Sequence, residues 1–116
     1  MFSLDDKFIF YSKLDENHRP RKIFRHEIGK AVKDDILIFE EKTKAFTVGI
    51  GLTSDEKYYL ITSSDHNTTE KYYFHVDEKI PEPKLIKERE KGIIYSINSW
   101  NNNCLLYTSD AADDLL

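Results

Sequence analysis

Residues 5–11 read DDKFIFY and residues 55–61 read DEKYYLI, so an acidic turn followed by an aromatic strand occurs twice, 50 residues apart. The similarity persists along the chain in chemistry more than in identity. The further correspondences are Asp15 with Asp65, Asn17 with Asn67, and the strand around Phe24 with the strand around Phe74. A four-stranded unit that repeats near this length is typical of the blades of a β-propeller.

Short segments rich in aromatic and β-branched residues recur along the chain. Each is four to seven residues long and is bounded by Asp, Asn, Gly, Pro or Lys. This pattern predicts an antiparallel all-β protein. No segment shows a sustained helical period with caps, so no helix is predicted. The predicted strands are residues 8–14, 22–28, 36–40, 46–52, 58–63, 71–76, 84–87 and 93–97.

We therefore predict about two blades of a propeller, truncated at both ends. The units span about residues 1–45, 46–92 and 93–103, the third being only a start. The second unit is complete, whereas the first has almost no innermost strand. In the second unit the innermost strand is residues 46–52, where Gly49 and Gly51 would allow close approach near the crowded axis. A blade buries one face on each neighbour, so it needs blades on both sides.

A small sandwich or a partly open barrel of about eight strands is the alternative architecture, because 116 residues is an ordinary length for such folds. The 50-residue repeat favours the propeller.

One segment carries a more specific pattern. Residues 11–29 read YSKLDENHRPRKIFRHEIG, and residues 34–70 continue with comparable order and spacing. The first contains Asp15-Glu16, Arg19-Pro20, Arg25-His26 and Gly29 in that order. Together they resemble the N-terminal propeller of oligopeptidase B, in the prolyl oligopeptidase family, over residues 3–100. The resemblance implies a seven-bladed ring in the parent protein.

The resemblance also implies a function for that parent. Members of this group are cytoplasmic serine peptidases that cleave short peptides after Arg or Lys. Their catalytic Ser, Asp and His lie in a C-terminal α/β-hydrolase domain, and the propeller covers that site and excludes folded proteins. Nothing in the present sequence matches that domain. We therefore predict no catalytic residues in this chain. The expected partners are the hydrolase domain of the same parent chain and the peptide substrates of the parent.

Charge, apolar run lengths and cysteine content bear on the possible partners and location of the protein. The formal net charge is −4 with both signs interspersed, so no basic stripe indicates a nucleic-acid partner. The longest apolar runs have four or five residues, which is too short for a membrane span. Cys104, the single cysteine, cannot form an internal disulfide, which agrees with a reducing cytoplasm.

Several short motifs suggest chemistry that their context does not support. The sequence contains no G-x-S-x-G elbow, and Gly49-Ile50-Gly51 lacks the third glycine of a nucleotide loop, so no cofactor is predicted. His26-Glu27 begins like H-E-x-x-H, but Lys30 occupies the second His position, so no metal site is predicted. We instead expect Arg25 and His26 on opposite faces of a strand.

Residues 63–69 contain the residue types of a catalytic triad and of a glycosylation sequon. Asp65-His66 follows two serines, and Asn67 precedes two threonines. Adjacent residues in a hairpin point apart, so a solvated blade turn is the better interpretation. Residues 84–91, KLIKEREK, are predicted to be an outer-edge strand with a charged turn. Trp100 is expected to pack between blades.

The C-terminal residues have a different origin in our interpretation. Residues 104–113 read CLLYTSDAAD, which matches the translation of a transposase end sequence used as a sequencing adaptor. We therefore predict that residues 104–116 are a non-native, adaptor-derived tail. The alternative is a native strand, because LLYTSD is similar to YLITSSD of the preceding blade.

Overall fold

The computed structural model describes residues 1–100 and 103–110, with side chains described as far as residue 97. All eight predicted strands are present, and a ninth follows them. A three-residue 3₁₀ turn, Val32–Asp34, interrupts the loop before the third strand, where no helical turn was predicted. The strands are β1 Phe8–Leu14, β2 Pro20–Glu27, β3 Ile36–Glu40, β4 Thr47–Leu52, β5 Tyr58–Ser64, β6 Thr69–His75, β7 Lys84–Lys87, β8 Ile93–Trp100 and β9 Asn103–Asp110.

The strands form three antiparallel sheets in which chain order equals spatial order. The first sheet is β1-β2-β3, the second is β4-β5-β6-β7, and the third is β8-β9. We call them blade 1, blade 2 and blade 3. Blade 2 has four strands, and the all-β antiparallel fold is confirmed.

The N-terminal residues take the innermost position of blade 1. Phe2 forms an antiparallel bridge with Ile9. The Phe10 N–H donates to the Met1 carbonyl oxygen at 2.8 Å, and the Ser3 N–H donates to Phe8 at 2.8 Å. Residues 1–3 are thus the short remnant of an innermost strand that the sequence predicted.

The 50-residue repeat is visible atom by atom in the first turn of each blade. In blade 2 the Thr53 hydroxyl donates to Asp55 at 2.7 Å and accepts from the Tyr58 N–H at 3.2 Å. In blade 1 the Ser3 hydroxyl makes the same two bonds with Asp5 and Phe8. The intervening residues, Asp6 and Glu56, have φ values of 57° and 59°. The same turn chemistry therefore builds both blades.

The third strands correspond with a different spacing from the one predicted. Tyr11 pairs with Phe24, whereas Ile61, 50 residues after Tyr11, pairs with Tyr72. Phe24 therefore corresponds to Tyr72, and Phe74 is two positions further along. The cause is a longer β1–β2 turn and a bulge after Lys13, each of which adds one residue to blade 1.

The core lies between blades 1 and 2. Phe10 is 3% exposed, and its ring centroid lies 4.8 Å from that of Tyr59 and 5.8 Å from that of Phe74. By the repeat, Phe10 corresponds to Leu60, which points to the opposite face of β5 from Tyr59. The blades therefore meet through non-equivalent faces. Packing of this kind can repeat from blade to blade and build a ring, whereas the two units of a sandwich would close on each other. The other buried members of the core are Ile23, Ile38, Val48 and Ile61.

Within the described residues, no helix is long and apolar enough to cross a membrane.

Candidate functional site

A buried ion cluster connects the two blades. Glu41 follows β3, where the chain leaves blade 1 for blade 2, while Glu70 lies on β6. Arg89, in the segment after β7, reaches both: its Nη2 lies 2.5 Å from Glu41 Oε1 and 2.8 Å from Glu70 Oε1. The two carboxyl side chains are 5% and 7% exposed, so these charges are removed from water.

Neighbouring groups complete the hydrogen bonding of this Arg89 cluster, which consists of Glu41, Ser63, Glu70 and Arg89. The Ser63 hydroxyl donates to Glu41, and the Tyr72 hydroxyl donates to Glu70. The Arg89 guanidinium also lies over the Phe46 ring, 4.1 Å from its centroid. The Oε2 atoms of Glu41 and Glu70 accept from the backbone N–H groups of Thr43 and Arg89, so each buried oxygen is satisfied, as a buried charge requires.

Burial and hydrogen bonding shift the pKa values of the two carboxyl groups in the cluster and of the neighbouring Tyr72. Burial alone would raise the pKa of Glu41 and Glu70. Hydrogen bonds outweigh it, from Ser63 and Arg89 in one case and from Arg89 and Tyr72 in the other, and both pKa values fall below their ordinary level. Burial and the bond to Glu70 raise the pKa of Tyr72 to about 12. The cluster is fully ionised at neutral pH and joins the blades.

A crevice of about 440 Å³ lies between the two blades at the opposite rim. Arg25, on β2, forms part of its wall and is 7% exposed. Its guanidinium lies over the Phe8 ring, 4.2 Å from the centroid, and Nη1 donates to the Lys79 carbonyl oxygen at 2.8 Å. A polar, rigidly held cation thus borders an open space, which is an arrangement suited to binding rather than to bond cleavage.

A second titratable cluster lies on the other face of blade 1. His26 Nδ1 lies 2.6 Å from one oxygen of Asp35, and the Tyr11 hydroxyl donates to the other. The hydrogen bond from Tyr11 lowers the pKa of Asp35 despite partial burial. The same bond, with burial, raises the pKa of Tyr11 to about 12. As predicted, Arg25 and His26 lie on opposite faces of β2.

The structure separates the residues that resembled a triad. Asp65 accepts from the N–H groups of Asn67 and Thr68 at 2.9 Å and 2.8 Å and so closes the turn. Ser63 points into the core toward Glu41, while His66 is exposed. No nucleophile and base from this segment meet.

The other short motifs have structural roles. Lys30, at the second His position of the motif, lies in an exposed turn. Among the residues with described side chains, no group of three or more His, Cys, Asp or Glu could hold a metal ion. Gly49 and Gly51 lie on the innermost strand, but no atom of the described chain would come within 4 Å of an added Cβ. The expected close approach is therefore not seen.

The structure differs most from the sequence prediction in residues 84–91. β7 is the outer edge of blade 2, as predicted. Arg89, however, turns inward to the buried cluster rather than into solvent. The side chains of Trp100 and Cys104, and residues 111–116 altogether, lie outside the described part of the chain. The adaptor origin of residues 104–116 stays a prediction; the backbone of β9 pairs with β8 as far as Asp110.

Comparison with known proteins agrees with this propeller-like packing of two blades. The family described as prolyl oligopeptidase, N-terminal beta-propeller domain, matches residues 3–114. This chain belongs to that family. It is therefore part of the propeller of a peptidase family, and the resemblance to oligopeptidase B is confirmed.

Individual relatives give the same result. Protease 2 of Moraxella lacunata is 35% identical over 105 residues, which are 90% of this chain and 15% of that protein. Oligopeptidase B from Trypanosoma brucei, in a closed form with covalently bound antipain, superimposes with a TM-score of 0.82 at 26% identity, over 88% of this chain and 15% of that one. Oligopeptidase B from Leishmania major has a TM-score of 0.87 at 23% identity, over 93% of this chain and 15% of that one. The chain thus spans about 15% of the length of these relatives.

Proposed function

We propose that this chain is part of the gating propeller of a serine oligopeptidase that cleaves short peptides after Arg or Lys. The observation that carries the proposal is the 35% identity to Protease 2, which extends over 90% of the chain. The arrangement of the blades supports it. Consecutive blades that pack through non-equivalent faces build a ring, and a ring can restrict access to a site beneath it by size.

In this proposal the 116 residues contribute no catalytic group. Ser63 is fully buried and its hydroxyl donates to Glu41 inside the core, where no substrate can reach it, and His66 lies in an exposed turn. The nucleophile and its base would come from a hydrolase domain of the same parent chain. We further propose that the parent is cytoplasmic, as the resemblance to oligopeptidase B implies.

The test uses the complete open reading frame that encodes this chain. The expressed protein should cleave short fluorogenic peptides after Arg or Lys, leave matched peptides with Pro at that position intact, and spare a folded protein with accessible lysines. It should also react with a fluorophosphonate probe for the serine nucleophile. The 116-residue chain alone is the matched control and should do neither.

Two results would contradict the proposal. A reading frame of further blades without G-x-S-x-G would favour the alternative, a propeller that binds protein partners without a peptidase. Cleavage after Pro with no cleavage after Arg or Lys would agree with a peptidase but contradict the proposed specificity for basic residues.

A further inference from the structure

Arg25 is a buried cation that forms no ion pair with a carboxylate of the described residues. Arg21 and Arg89 both pair with carboxylates, at 3.4 Å to Asp15 and at 2.5 Å to Glu41. Arg25 is more buried than either, with 7% of its surface exposed, yet within the described part of the chain its one hydrogen-bond acceptor is the Lys79 carbonyl oxygen.

This leaves most of the guanidinium available. The group carries five N–H donors in a rigid fork, and the bond to Lys79 uses one of its nitrogens. Burial lowers the pKa of Arg25, and the negative charge of Glu27 counters only part of that effect. No fully buried side-chain nitrogen of the described residues lacks a hydrogen-bond partner, so the remaining donors of Arg25 face open space, where an anion could pair with them.

Open space flanks Arg25 where those donors could be used. The crevice of about 440 Å³ lies on one side, and a second cavity of about 270 Å³ lies on the other. Phe8, Glu27 and Lys79 border both cavities together with Arg25. The Phe8 ring and the Lys79 carbonyl hold the guanidinium plane in place, so a ligand would meet a preformed fork rather than a flexible side chain.

The acidic groups around the crevice are engaged or solvated. Asp5 and Glu78 accept from backbone N–H groups of their own turns, at 3.1 Å and 2.6 Å. Asp77 is 86% exposed. None of the three forms an ion pair with Arg25. Glu27, the fourth acidic residue of the crevice, borders both cavities, and its charge offsets part of the positive charge of Arg25 although no ion pair joins the two side chains.

We propose that Arg25 anchors a binding site for a carboxylate carried by a ligand the size of an amino acid or a dipeptide. The planar fork matches a carboxylate through two parallel hydrogen bonds. The volume of the crevice lies in the range of small-molecule sites. The carboxylate could be a peptide C-terminus or an acidic side chain, since both offer the same group. The site does not depend on the peptidase proposal, because both walls lie in this chain.

The test is a titration of the ¹⁵N-labelled 116-residue chain followed by nuclear magnetic resonance. N-acetylglycine supplies a C-terminal carboxylate, N-acetylglutamate with an amidated α-carboxyl supplies a side-chain carboxylate, and N-acetylglycine methylamide supplies none. At least one of the first two should shift the Arg25 Nε–H signal and the Lys79 amide, and the tighter one identifies the source. The methylamide should leave both signals in place.

Arg25→Lys keeps the charge but removes the fork, so it should weaken binding by about tenfold or more, the effect of losing one charge-assisted hydrogen bond. Arg19→Lys is the matched control on an exposed arginine at the far rim and should bind normally. The wild-type Nε–H shift decides the matter if Arg25→Lys does not fold.

Several outcomes would overturn the site. They are equal shifts with the methylamide, equal shifts with inorganic phosphate at the same concentration, and unchanged binding by Arg25→Lys. A chain without dispersed amide signals would overturn it as well, because the site exists only where the blades pack.

Discussion

Arg89 lies between two carboxylates, on Glu41 and Glu70, that are each almost fully removed from water. Their ionised forms are maintained by the guanidinium. We predict that Arg89→Met destabilises the chain by about 3–5 kcal/mol, because the change leaves buried negative charges without a partner. The measurement is urea unfolding followed by circular dichroism at neutral pH.

The control for that substitution is an exposed ion pair of the same charge type. Lys22 and Glu40 lie 3.9 Å apart with side chains 43% and 39% exposed. Lys22→Met should therefore cost no more than about 1 kcal/mol. Equal losses in the two variants would show that the buried position of Arg89 contributes nothing beyond that of a surface pair.

The same residues predict how stability depends on pH. The folded pKa values of Glu41 and Glu70 lie below the ordinary value of 4.5, so their contribution is complete above that pH and is lost as the pH falls through the folded values. Glu41→Gln removes one contributor. Its free energy of unfolding should lie below that of the wild type at about pH 6, and the gap should shrink toward about pH 3.

Urea titrations of both proteins across this range provide the measurement. The lowered carboxylates elsewhere, such as Asp5 and Asp15, are common to both and cancel in the difference. A gap that stays constant, or widens in acid, would assign the acid sensitivity to those other groups.

Individual charged residues were the part of the molecule that the sequence predicted least well. Arg89 stands in a run of alternating charges, and a solvated turn has the same composition as one that returns to the core. What places Arg89 inside is Glu41, 48 residues earlier, at a crossing that only the packed blades create. The Arg25 crevice was missed for the same reason.

At the level of elements, the prediction succeeded because local chemistry determines the strands. β1, β3 and β7 have the predicted bounds, and the others differ at their ends by one to three residues. Turns with Ser or Thr two residues before Asp recur at both blade starts, and they fix the innermost hairpin without help from distant residues. The two-residue offset of the third strand escaped prediction because neither a bulge nor a turn longer by one residue has a signature in composition.

β1 offers a direct test of where along a strand the packing energy is concentrated. Phe10 is 3% exposed and contacts the rings of blade 2, whereas Leu14, on the same strand, is 52% exposed. Phe10→Ala should cost about 3–5 kcal/mol, because it leaves a cavity between the blades. Leu14→Ala is the matched control and should change stability by at most about 0.5 kcal/mol. Comparable losses in urea unfolding would mean that the two blades are not joined through Phe10.

For the whole molecule, the decisive property is that the blades are related by stacking rather than by closure. Phe10 and its equivalent Leu60 point the same way along the stack, so each blade presents one face to the blade before it and the other to the blade after it. Both ends of such a stack have apolar faces that only further blades can cover. Membership of a propeller family and the geometry of two blades therefore support each other.

Stacking also predicts where the molecule opens first. β5 is paired on both sides and contains Ile61 and Ser63 at 0% exposure, whereas β7 is paired on one side and Leu85 is 46% exposed. Amide hydrogen exchange should therefore be slowest in β5, intermediate in β6 and fastest in β7, after correction for intrinsic rates. β3 is the matched outer strand of blade 1 and should exchange like β7. Equal protection of β5 and β7 would show instead that blade 2 opens only as a single cooperative unit.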